Sequence, residues 1–243
     1  MMPWTDLVYA QEFPFTPGPY GHKQLRLTWS KNRCPLDSTV YYPSMSGDYT
    51  PIVFLGGFYD VISGEGYSDF LGKITSHGYM LITVDLLPTL HFQPESELSQ
   101  LAKPGILSRF YDQIEWLKKN LGNMTIATPD WEKLTLSCHS ASCVSILSVI
   151  HDRPSYAAGA IFLDPVCLFS SKMKPVQICK HICAPGSPTG RNEYKDFTAG
   201  MIHSFLRVTL YRDRSYRKYI SNETLMPFAL NDLAYDFSPI DQM

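Results

Sequence analysis

Short, nearly continuous apolar runs alternate along this chain with segments whose apolar residues recur every three or four positions. Gln24-Leu25-Arg26-Leu27-Thr28-Trp29 and Ser38-Thr39-Val40-Tyr41-Tyr42 predict two early strands. Pro51-Ile52-Val53-Phe54-Leu55 predicts a buried strand that runs into a tight loop at Gly56-Gly57. Further strands are predicted at Tyr79 to Asp85, Leu134 to Cys138, Ala160 to Asp164 and Pro175 to Cys179. Between them, Tyr67, Phe70, Leu71 and Ile74 keep helical spacing, closed by Gly78. Leu107, Phe110, Ile114, Leu117 and Leu121 do the same, with Lys118-Lys119 in the last turn and Gly122 as the cap. Val144, Leu147 and Ile150 predict a third helix, and Phe197, Met201, Phe205 and Val208 a fourth. Apolar strands alternating with amphipathic helices predict an α/β fold: a mostly parallel central sheet with helices on both faces. Sites in such sheets form beyond the carboxyl ends of the strands. That directs attention to Gly56 to Asp60, Asp85 to Leu90, Cys138 to Ser142 and Asp164 to Cys167.

Length and composition narrow this further. At 243 residues the expectation is one α/β domain spanning residues 1–243. A net charge of −2 leaves no excess of cations to neutralise a phosphate backbone, so no nucleic-acid partner is expected. The richest basic stretch, Arg212 to Lys218, reads as a solvated helix end. The chain has 6 cysteines, and the close pairs Cys138/Cys143 and Cys179/Cys183 lack C-x-x-C spacing. No metal site and no cofactor are therefore expected, and the thiols are expected to be reduced. The amino-terminal residues have neither a basic nor an apolar leader pattern, and no run is long and apolar enough to cross a bilayer. The expectation is a soluble, cytoplasmic protein.

Candidate chemistry lies at the strand ends. Cys138-His139-Ser140-Ala141-Ser142 falls between a strand and a helix, the setting of a nucleophile elbow. The usual G-x-S-x-G pattern has Cys138 and Ser142 in place of its glycines; both are small, so the strained turn survives at some cost. Ser140 would be the nucleophile. Two backbone N–H groups must face the developing oxyanion; Ala141 and Phe58, the latter after Gly56-Gly57, are placed for this. Asp164 ends the strand after the elbow helix, where an acid can orient a histidine. Each feature has an ordinary alternative: a helix-capping serine, a strand-ending Gly-Gly turn and an Asp-Pro turn. Their chain order favours the chemical reading.

These residues resemble the chlorophyllase-like branch of α/β-hydrolases, which is related to platelet-activating-factor acetylhydrolases. Glu12 to Tyr20 is similar to the family's amino-terminal signature, and Val40-Tyr41-Tyr42-Pro43 precedes the oxyanion strand as it does there. Tyr67-Ser68, Ser76-His77-Gly78-Tyr79, Leu163-Asp164-Pro165-Val166 and Cys183-Ala184-Pro185 also match, over roughly residues 7–186. The resemblance implies an α/β-hydrolase fold and serine hydrolysis of a small lipophilic carboxylic ester, with Ser140 as nucleophile and Asp164 as acid. The chain departs from the family where a late strand and a Gly-His loop belong: residues 180–194 read as loop, with Pro185, Gly186, Pro188 and Gly190. A late strand and its histidine loop are thus expected to be lacking. His181 and His203 are the candidates left to complete a triad. The alternative expectation is a catalytically impaired or non-catalytic hydrolase-fold protein that binds a lipophilic ligand or a protein partner.

Overall fold

The computed structural model describes residues 13–57, 64–86, 104–165 and 188–227. In chain order the elements are β1 (His22–Leu27), α1 (Trp29–Asn32), β2 (Ser38–Pro43), β3 (Gly47–Leu55), α2 (Ser68–Ser76) and β4 (Tyr79–Val84). There follow α3 (Pro104–Asn120), β5 (Ala127–Pro129), β6 (Thr135–His139), α4 (Cys143–Asp152), β7 (Gly159–Leu163), α5 (Pro188–Thr209) and α6 (Arg217–Ser221). The strands form a seven-stranded sheet of order β1-β2-β4-β3-β6-β7, with β5 against β3. β1 and β2 run antiparallel to their neighbours; β4, β3, β6 and β7 are mutually parallel, as the apolar runs predict.

Alternation along β3 shows why this sheet is covered on both faces. Val53 and Leu55 point into a cluster with Phe110, Ile114 and Leu117 of α3 and Ile146 and Val149 of α4. Ile52 and Phe54 point the other way, against Phe70, Leu71 and Ile74 of α2 and Ile202 and Leu206 of α5. Period-two strands between period-3.6 helices leave one arrangement that buries every apolar stripe. Burying each such side chain fully is worth about 1.5–3 kcal/mol.

The structure corrects several boundaries. Trp29 does not end β1; it opens the short helix α1, is exposed, and donates its backbone N–H to Asp37 Oδ1 at 3.1 Å. β3 begins at Gly47 rather than Pro51, because its first residues pair with β5, an element too short to show a pattern. Leu147 is exposed, and the buried stripe of α4 is Cys143, Ile146 and Val149. α5 starts at Pro188, inside the stretch read as loop. A proline is suited to the first turn of a helix, since its absent N–H would have no intrahelical acceptor there. Pro175 to Cys179 and residues 180–187 lie outside the described residues. Among the described residues no helix is long and apolar enough to cross a membrane, and no group of three His, Cys, Asp or Glu side chains could hold a metal.

Candidate active site

Strand register brings the candidate residues to one line. Leu55 of β3 pairs with Cys138 of β6, and His139 pairs with Leu163 of β7. The next residues, Gly56-Gly57, Ser140 and Asp164, therefore leave adjacent strands at the same carboxyl edge. Both Ser140 (φ 57°) and Asp164 (φ 43°) adopt left-handed backbone immediately past their strands. A residue bearing a Cβ adopts that conformation at a cost, and such residues cluster where function constrains the chain. At Ser140 the sharp turn reverses the path from β6 into a short 3-10 turn, Ser140–Ser142, that continues into α4. Ala141 is buried in this first turn, whose N–H groups lack intrahelical acceptors.

The glycine replacements in the elbow have direct partners. The Ser142 hydroxyl donates to the Gly56 carbonyl, tying the turn to the end of β3. Cys138 forms a disulfide with Cys143, with Cα atoms 5.0 Å apart. This corrects the expectation of reduced thiols for that pair: spacing that excludes a zinc motif suits a disulfide once the turn folds the chain back on itself. Cys34 is a buried free thiol whose pKa burial raises.

His139 gives the site its second polar cluster. The Gly57 N–H donates to the Tyr67 hydroxyl at 2.8 Å, and that hydroxyl lies 2.8 Å from His139 Nδ1. The one hydroxyl therefore links the loop after β3 to the elbow. Burial pushes the His139 pKa below its ordinary value, against the pull of the Asp164 carboxylate. Gly57 fits only because it lacks a side chain: a Cβ there would meet His139 Nδ1 at 2.8 Å and the Tyr67 hydroxyl at 2.9 Å.

A cavity of about 380 Å³ opens beside these residues, lined by Tyr67, Phe70, His139, Phe162, Asp164 and Tyr194 among others. Its walls are mainly apolar in area, with His139, Asp164, Lys195 and Thr198 among the lining residues. Burial, followed by the Asp164 charge, raises the Tyr194 pKa. A larger cavity of about 510 Å³ sits at the opposite, amino edge of the sheet, against Tyr79, His77, His203 and Arg207. The carboxyl-edge cavity is the better candidate site, because Asp164 and His139, the residue before Ser140, line it.

The structure thus brings Ser140, Ala141 and Asp164 to one edge. Phe58 and His181 lie outside the described residues. His203 is elsewhere: it is buried mid-helix in α5, 3.0 Å through Nδ1 from the hydroxyl of Tyr79, the first residue of β4. Asp85, at another strand end, is held by Arg26 at 2.8 Å. Sequence reasoning missed the Tyr67–His139–Gly57 connection and the disulfide, each of which joins residues through space that no periodicity reports.

Comparison with known proteins adds one match. No curated protein matches the chain. Residues 11–174 match the Chlorophyllase family, a stretch that contains Ser140 and Asp164 and stops short of α5. That stretch is narrower at both ends than the motifs suggested, but it covers well over half of the sequence, and the chain belongs to the chlorophyllase family.

Proposed function

We propose that this protein is a serine carboxylic-ester hydrolase of the α/β-hydrolase fold, acting on a small lipophilic ester through an acyl-serine intermediate. The observation that carries the reading is the pair of left-handed residues, Ser140 and Asp164, leaving neighbouring strands at one edge, where Asp164 and His139 line a mostly apolar cavity. Ser140 Oγ attacks the ester carbonyl. The oxyanion is held by the Ala141 N–H and, in this reading, by that of Phe58. The alcohol leaves, and water then releases the acid from the acyl-serine. A serine hydroxyl is a weak nucleophile without an adjacent base. His181 is the candidate imidazole and Asp164 the carboxylate that would orient it. The apolar cavity wall suits a lipophilic acyl or alcohol group.

The test is hydrolysis of p-nitrophenyl esters of increasing acyl length by the full chain and by Ser140→Ala. Turnover that prefers the longer chains and is lost in Ser140→Ala supports the proposal. Turnover equal in both proteins refutes it. A folded protein stabilised by lipophilic ligands, with turnover no higher than Ser140→Ala, would instead support the non-catalytic binding reading.

A further inference from the structure

The elbow of this chain is closed by a covalent bond. Cys138 lies in β6, paired with Leu55 on one side and Phe162 on the other, so its backbone is fixed within the sheet. Cys143 is the first residue of α4. The disulfide between them spans the turn that contains His139, Ser140, Ala141 and Ser142. Both cysteines are buried. The other ties of the elbow, Ser142 to Gly56 and His139 to Tyr67, reach outward to neighbouring elements. The disulfide is a covalent link between the two arms of the turn itself. It spans Ser140, whose backbone φ of 57° is disfavoured for a residue with a Cβ and persists only where the surroundings enforce it.

We infer that the Cys138–Cys143 disulfide is a positioning element for Ser140, and that the reactivity of Ser140 follows the redox state of this pair. The inference rests on the reading of Ser140 as nucleophile. A dithiol reductant supplies two electrons and two protons: the bond between the two sulfurs breaks, each cysteine becomes a thiol, and the reductant closes to its own disulfide. The loop between β6 and α4 then regains conformational freedom, and the left-handed state of Ser140 loses its covalent support. Because both sulfurs are buried, exchange proceeds through transient opening of the elbow.

Three forms of the full chain test this: the protein purified without reductant, the same protein after dithiothreitol, and Cys138→Ser/Cys143→Ser. Peptide mapping establishes the bridge in the first form. The rate of Ser140 labelling by a fluorophosphonate, and kcat and KM on a p-nitrophenyl ester, establish its consequence. The reduced protein and the double variant are expected to label about 10- to 100-fold more slowly, because small misplacement of a reacting group costs that much. The loss should fall in kcat with KM little changed, and dithiothreitol should have no effect on the double variant. Amide hydrogen exchange should quicken in the peptide spanning the elbow and stay unchanged in β3 and β4. Free thiols at both positions in the first form, or equal labelling rates in the oxidised and reduced forms, overturn the inference. Absence of Ser140 labelling in every form counts against the nucleophile reading instead. Exchange of the elbow amides then decides: faster exchange on reduction supports the positioning role, and unchanged exchange overturns it.

Discussion

Gly57 has room for a hydrogen and nothing larger, since the contacts a Cβ would make with His139 and Tyr67 both fall under 3 Å. Substituting alanine must push the loop after β3 away from the elbow, or displace the His139 ring or the Tyr67 hydroxyl. The core strands do not depend on that position. Gly57→Ala is therefore expected to slow fluorophosphonate labelling of Ser140 by about tenfold or more, with a near-native thermal midpoint. A labelling rate equal to wild type would show that this close approach is unrelated to the chemistry. The placement of Ser140 and Asp164 just past strand ends was legible in the sequence, because each sits at the end of a recognisable apolar run. Tyr67 was legible as the first apolar position of a helix and as part of a family match, and His139 as a member of the elbow, but neither as a partner of the other. Their contact depends on how α2 is laid against the sheet.

The packing of α2 against α5 buries two imidazoles almost completely. His77, just past α2, stacks on His203 of α5 with ring centroids 4.5 Å apart. Burial lowers the His77 pKa to about 4, with Asp196 opposing. Burial, then the nearby His77 and Arg207 charges, lower that of His203 to about 3, with Asp213 opposing. Both rings are neutral in the folded protein at pH values where the unfolded chain, with an ordinary value of 6.5, is already protonated. The unfolded state then binds more protons, so stability falls as pH drops below about 6.5 and nothing is lost above it. Each histidine contributes a slope of up to about 1.4 kcal/mol per pH unit over that interval. Urea midpoints measured from neutral pH down to about pH 5 should decline. His203→Gln should be less stable at neutral pH, through loss of the Tyr79 bond, but should decline less steeply. A wild-type midpoint independent of pH would contradict the burial of this pair. Helix existence was readable from spacing, but the face that α4 buries was not: Val144, Leu147 and Ile150 have the same period as Cys143, Ile146 and Val149, and only the position of the sheet decides between them. The start of α5 was obscured by Pro188 and Gly190, which signal a loop in isolation yet are tolerated in a first helical turn.

Across the sheet, strand order does the assembling. β4 and β6 lie on opposite sides of β3, so the chain reverses direction of growth there, and a crevice opens at the carboxyl ends where the order switches. The nucleophile candidate, the acid candidate and the apolar cavity all lie at that edge. The larger cavity at the amino edge lies beyond reach of these turns. Strand order could be anticipated only as a mostly parallel sheet, since pairing between distant segments leaves no local signature. The nucleophile proposed for this setting is Ser140. The most direct measurement is mass-spectrometric mapping of the residue modified when the full chain, purified without reductant, is treated with a fluorophosphonate. An adduct is expected on Ser140 and should be absent in Ser140→Ala. An unmodified chain, or an adduct that persists in Ser140→Ala, would contradict the proposal.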